Sequence, residues 1–157
     1  MNDKQLTLRI STHLFKAMNE NMIQYCHWKS NQHLTEALAG LTDLDLLVDS
    51  KQKASCHDLL SELGFIRVES LPGPQYLGIE DWLGFDYDTG NLIHVHLHFK
   101  LLLGAKGIKN HHLPLERWLL DNSRTQEGVK VPEHECELML LIIRTVLKFD
   151  GKFFLGY

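Results

Sequence analysis

The chain has 157 residues, 44% of them hydrophobic and 23% charged, enough for one domain with a buried core and too apolar for disorder to dominate. A formal net charge of -4 lacks the basic footprint of a nucleic-acid coat, so nucleic acid is not the expected partner. Three scattered cysteines, Cys26, Cys56 and Cys136, exclude a disulfide framework, and no apolar run approaches the roughly 20 residues of a membrane span.

The N-terminus has no signal-peptide core, so a soluble, cytoplasmic protein without membrane contact is expected. An apolar helix and aromatic residues close to the C-terminus make the chain read as one part of a longer protein.

Leu6, Ile10, Leu14 and Met18 recur every four residues, with Leu8 and Phe15 widening the stripe, and predict an amphipathic helix from residue 4 to about 20. Met22 to Trp28 reads as a short strand, Asn31 to Leu38 as a helix stopped near Gly40, and Leu44 to Val48 as a strand. Asp49 or Ser50 caps the next helix, Gly64 ends it, and "FIRVES" continues as a strand into the "LPGP" turn. This alternation is an α/β signature.

Residues 79–103 then form two strands around "DTGN", an antiparallel hairpin addition. After a Gly-containing loop, Leu113 to Glu116 opens a helix to about Leu120, "GVKVP" is a short strand, and Glu133 to Lys148 is the longest apolar helix. The expected architecture is α/β (α+β): a mixed sheet flanked by helices. Residues 1–112 form its core and 113–157 a C-terminal helical part packed on it.

"GLTDLDLLVD" carries Asp43 and Asp45 two residues apart on an apolar strand, so both carboxylates project from one face at its beginning. Two like charges so close call for a cation between them, and hard oxygen ligands suit Mg²⁺ or Mn²⁺. A solvent-facing edge strand would also tolerate such a pair, but "LDLLV" reads as buried on both faces, where an aspartate needs a partner. Asp49, at the far end of the strand, is a helix cap.

The order helix, strand ending in "WKSN", helix, then "GLTDLDLLV" resembles the nucleotidyltransferase fold of the DNA polymerase β superfamily. More narrowly, "YCHWKSNQHLTEALAGLTDLDLLVD", "GIEDWLGFD", "VHLH" and "LPLE" together resemble a bacterial nucleotidyltransferase-like family, some members of which carry a C-terminal kinase-like domain. The resemblance covers nearly the whole chain. It implies transfer of an NMP from NTP to the hydroxyl of an unknown acceptor, with a divalent cation held by Asp43 and Asp45. It also implies a phosphate-binding turn at Lys29, Ser30 and Asn31. Ser30 stands at the serine of the superfamily's Gly-Ser turn, but Lys29 replaces the glycine, exchanging close backbone approach for a point charge.

The superfamily places a third carboxylate on a later strand beside the D-x-D strand. Here that strand is "LIHVHLHF", which holds His94, His96 and His98 in phase and no acid. His96 or His94 stands in its place, as a base with a pKa near 6.5 or as a metal ligand, and imidazole prefers Mn²⁺ or Zn²⁺ to Mg²⁺. The same spacing resembles the histidine-triad nucleotide hydrolases and transferases, in which His96 would attack an α-phosphate. The third alternative is a nucleotide-binding or regulatory domain whose catalytic site has decayed. Lower in rank stand Glu80, Asp81 and Asp86 as acids near the hairpin, with Asp86 a metal candidate and Asp88 a turn former. Lys106, Lys109, His111 and His112 are loop candidates for phosphate contact. Arg144 and Lys148 lie four apart on the last helix, either as surface charge or as nucleotide contacts.

Overall fold

A computed structural model describes residues 7–69, 76–104 and 111–148. Lys106, Lys109, the "LPGP" turn and the side chain of Lys148 lie outside the described residues. The chain folds as α+β, with a five-stranded mixed sheet and, among the described residues, five α-helices. None of these helices is long and apolar enough to cross a membrane.

Helix α1 (Arg9–Glu20) buries Ile10, Leu14, Phe15 and Met18, the stripe its four-residue spacing predicts. Met22 adopts a left-handed turn (φ 53°), so strand β1 (Tyr25–His27) starts later than the run of β-formers indicates. A 3-10 turn (Asn31–His33) and helix α2 (Leu34–Leu38) follow. Gly40 then turns the chain at φ +74°; a Cβ there would sit 2.7 Å from the Leu92 carbonyl oxygen, so this close approach requires glycine. Strand β2 (Leu44–Val48) has the bounds read from sequence. Asp49 accepts a hydrogen bond from the Lys51 N–H (2.9 Å) at the turn into helix α3 (Lys53–Glu62), which settles the cap on Asp49 rather than Ser50.

Strands β3 (Ile66–Val68), β4 (Ile79–Phe85) and β5 (Leu92–His98) complete the sheet, in the order β1-β2-β5-β4-β3. Strand β5 runs parallel to β2, and every other pairing is antiparallel. Beyond it come the two-residue strands β6 (Leu102–Leu103) and β7 (His111–His112), helix α4 (Glu116–Asp121), a hairpin of β8 (Ser123–Gln126) and β9 (Val129–Pro132), and helix α5 (His134–Lys148). The single strand expected at "GVKVP" is thus half of a hairpin.

Period-two alternation sorts the strands between two cores. Leu44, Leu46, Ile93, Val95 and Leu97 pack with α1 and α3 on one face. Leu47, Cys26 and Trp28 face the other way, against Leu119, Leu120, Cys136 and Leu140 of the C-terminal helices. Among the described residues, this second cover reaches only part of its face and leaves the Asp43, His94 and Asp81 side open. The three cysteines are buried and unoxidised.

Asp86, a metal candidate by sequence, is instead a structural clamp and is only 2% exposed. One oxygen accepts from the Ile10 N–H (3.0 Å), an orphan donor at the start of α1, and the other from the Thr89 N–H and hydroxyl (both 3.0 Å) in the hairpin turn. These donors, the Ile10 N–H foremost, hold its pKa below the ordinary aspartate value. Its stabilising contribution is therefore complete above the unfolded-state pKa of about 3.9 and lost as pH falls through the lower folded-state value. Asp86→Asn should lower unfolding stability in urea at pH 7 by about 1–3 kcal/mol. The gap from wild type should narrow toward pH 2; a constant gap would refute the carboxylate's role.

A candidate metal centre on the open face of the sheet

Asp45 is the Cα partner of His96 across the β2–β5 ladder, and His96 is the partner of Asp81 across β5–β4. An acid, an imidazole and a second acid therefore lie in one row over three strands. Asp43, just before β2, and His94 and His98, two residues to either side of His96, share this face. The two sequence-predicted groups, D-x-D and the histidine trio, are brought together.

The contacts fall into an outer and an inner half. In the outer half, Asp43 Oδ1 lies 3.0 Å from His94 Nδ1 and Asp43 Oδ2 lies 3.7 Å from His96 Nδ1. Asp81 Oδ1 lies 3.1 Å from Nε2 of both rings. In the inner half, Asp45 Oδ1 accepts from Lys29 Nζ at 2.5 Å and lies 3.1 Å from His98 Nε2 and 3.5 Å from His96 Nδ1. Side-chain exposure drops from 49% at Asp43 to 16% at Asp45 and 0% at His98, so the row runs from solvent into the protein.

This arrangement perturbs proton affinities. Burial alone would raise the Asp45 pKa, but hydrogen bonding from His96 and His98 and the Lys29 ammonium outweigh it and hold the carboxyl far below its usual range. The His96 pKa is raised, first by its hydrogen bond to Asp45, against the opposing effect of burial, and then by the charges of Asp45, Asp43 and Asp81.

The ligand atoms of Asp43, His94 and His96 lie within 4.8 Å of one another, as do those of Asp45, His96 and His98. Asp81 sits on the far nitrogens of His94 and His96. With each ring donating its Nε2–H to Asp81, a cation that displaced the Nδ1 protons facing Asp43 and Asp45 would meet both Nδ1 lone pairs, the carboxylate-backed arrangement of metal-binding histidines. A mixed imidazole and carboxylate set of this kind fits Mn²⁺ or Zn²⁺ better than Mg²⁺.

A comparison with family models, with curated proteins and with solved structures found no match.

The remaining candidates separate. Ser30, exposed, carries the left-handed conformation (φ 54°) of the "WKSN" turn, so the turn is sharp although Lys29 is not glycine. Asn31 is buried, its Oδ1 2.6 Å from His27 Nδ1 and its Nδ2 donating to Glu137 Oε1 (3.0 Å), so one end of the amide ties the turn back to β1 and the other braces it against α5. His112 pairs with Glu116 (2.6 Å). Asp88 is an exposed partner of Arg9 in the hairpin turn. Arg144 is half-buried on α5 with its guanidinium 5.8 Å from the centre of the Trp28 ring, and among the described residues no carboxylate pairs with it. Burial lowers its pKa and the Asp45 charge partly offsets this, so Arg144 lies within the field of the centre.

Asp81 is the central residue that sequence reasoning ranked low, with no role at the centre. Its signal was present: an antiparallel hairpin with odd-sum pairing sets odd residues of β4 beside even residues of β5, so Asp81 shares the histidine face and its neighbour Glu80 does not. Glu80 is buried on the opposite face, held by Lys53 and His57 (both 2.6 Å). Asp81→Ala should leave the fold intact and weaken Mn²⁺ binding by about 10–100-fold in calorimetry. Unchanged affinity would show that Asp81 does not orient the imidazoles.

Proposed function

We propose that the protein is a metal-dependent nucleotidyltransferase of the nucleotidyltransferase fold, moving an NMP from an NTP to an acceptor hydroxyl. The observation that carries this reading is the convergence of Asp43 and Asp45 with His94, His96 and Asp81 on three adjacent strands at the solvent mouth of the sheet. Asp43, His94 and His96 would hold the cation, His96 serving as the ligand in place of a third acid; Mn²⁺ or Zn²⁺ suits this donor set better than Mg²⁺. A cation bound there supplies Lewis-acid polarisation of the α-phosphate and stabilises the developing charge.

The chain's own residues do the rest. Ser30, at the left-handed turn, offers its hydroxyl to a phosphate oxygen. Arg144 supplies a planar guanidinium for the phosphates beside the Trp28 ring. The acceptor oxygen forms a bond to the α-phosphorus while the bond to the α–β bridging oxygen breaks and pyrophosphate leaves. The hydroxyl proton passes to Asp43, the most exposed acid of the row.

The histidine-triad reading is less well supported. A nucleophilic His96 needs a nitrogen open to a phosphate, yet its Nδ1 faces Asp43 and Asp45 and its Nε2 faces Asp81, a negative surround that repels the anion.

Thermal unfolding with each NTP, with and without Mn²⁺, tests the proposal. A nucleotide at about 100 times its Kd should raise Tm by roughly 5–10 °C, only with metal present. Asp43→Asn should abolish this shift, and Arg144→Ala should weaken NTP binding about tenfold or more. Metal-independent stabilisation by a nucleoside monophosphate would favour the histidine-triad chemistry instead. No response to any nucleotide would point to a non-catalytic domain.

A further inference from the structure

We propose that the centre takes a single divalent cation, because Lys29 is the built-in occupant of the inner of its two ligand groups. This rests on the metal-binding reading above and specifies its stoichiometry.

The two groups, Asp43-His94-His96 and Asp45-His96-His98, share one imidazole and differ in what already sits in them. In the inner group, Lys29 Nζ donates to Asp45 Oδ1 at 2.5 Å and stands 3.3 Å from His98 Nε2. Those atoms belong to two of the three residues that would hold a cation in this group. The ammonium is also placed over the Trp28 ring, 4.5 Å from its centre, while the edge of His98 meets the same ring (5.2 Å, 86°). Lys29 is thus held by the Asp45 carboxylate and the face of Trp28, with its side chain only 16% exposed. A divalent ion entering beside it would meet like charge in a site from which most water is excluded. It would also have to take Asp45 from a partner that neutralises it without any desolvation of metal.

The outer group differs in each respect. Its acids, Asp43 and Asp81, are 49% and 30% exposed, its two imidazoles present paired nitrogens, and no lysine or arginine forms an ion pair with either acid among the described residues. Lys29 therefore supplies the inner positive charge, and the cation enters only from solvent at Asp43. The position of Lys29 after β1 fits this role: the left-handed turn at Ser30 follows it directly and the backbone N–H of Trp28 bonds the Asp45 carbonyl (3.1 Å), which fixes the start of the lysine side chain beside its target.

Metal stoichiometry tests the inference without any enzymatic readout. Titration of the wild-type chain with Mn²⁺, followed by calorimetry and by the EPR signal of unbound Mn²⁺, should give one equivalent per chain. Lys29→Met, which keeps length and apolar bulk but vacates the inner group, should bind a second equivalent, and adding Asp45→Asn to it should remove that equivalent again. Lys29→Arg should stay at one. Independently of any variant, the Lys29 ¹⁵Nζ resonance of the wild type should persist unshifted through saturation with diamagnetic Zn²⁺. Two equivalents in the wild type, a Lys29 resonance that vanishes or becomes solvent-like as Zn²⁺ binds, or a folded Lys29→Met that still binds one would each overturn the single-cation centre while leaving metal binding itself intact. Zero equivalents in the wild type would overturn the metal-binding reading as well.

Discussion

Asp43, Asp45 and Asp81 project from one face of the sheet within reach of the same imidazoles, and their repulsion is met by placing positive or proton-bearing groups between them. His96 is the centre of this arrangement, with a carboxylate on both of its nitrogens and a laddered partner on each neighbouring strand. Everything else about the face follows from it. The strand pairing must be held in register, because a slip of one residue would turn the imidazoles to the apolar side.

The fold meets that requirement through contacts away from the site. Gly40 brings the chain against the Leu92 carbonyl immediately before Asp43, tying the start of the acidic pair to the start of the histidine strand. Asp86 ties the turn of the β4–β5 hairpin to the N-terminus of α1 and so fixes where Asp81 and His96 meet. Among the described residues, the C-terminal helices cover one end of the face. The result is a graded environment, in which Asp45 and His98 are withdrawn beneath Trp28 and Lys29 while Asp43 remains in solvent. Inner groups in such a gradient are suited to fixed charge and outer ones to exchangeable ligands.

Much of this was legible in the residues. The bounds of β2, the shared face of Asp43 and Asp45, the phase of the three histidines and the hairpin all follow from period-two alternation and turn chemistry. Other features depend on information that local pattern does not carry. Asp81 emerges only when pairing across the hairpin is written out. The "SRTQ" strand lacks apolar alternation and its turn is Glu127-Gly128, without the Asn or Asp that usually announces a two-residue hairpin loop. The reach of Asp86 to Ile10 joins residues 76 positions apart, and the bracing of Asn31 by Glu137 joins residues 106 apart. Lys29 could be placed at the turn but not aimed, since a flexible four-carbon stem gives no direction until its partners are known.

The central claim is that imidazoles of β5 and an acid before β2 hold a metal to which a nucleotide binds directly. Pulsed EPR of the Mn²⁺-loaded protein tests it most directly, because nuclei within a few ångströms of the ion modulate its echo. The account predicts ¹⁴N modulation from histidine before nucleotide is added, and ³¹P coupling once an NTP is present. Bound Mn²⁺ showing neither would contradict it.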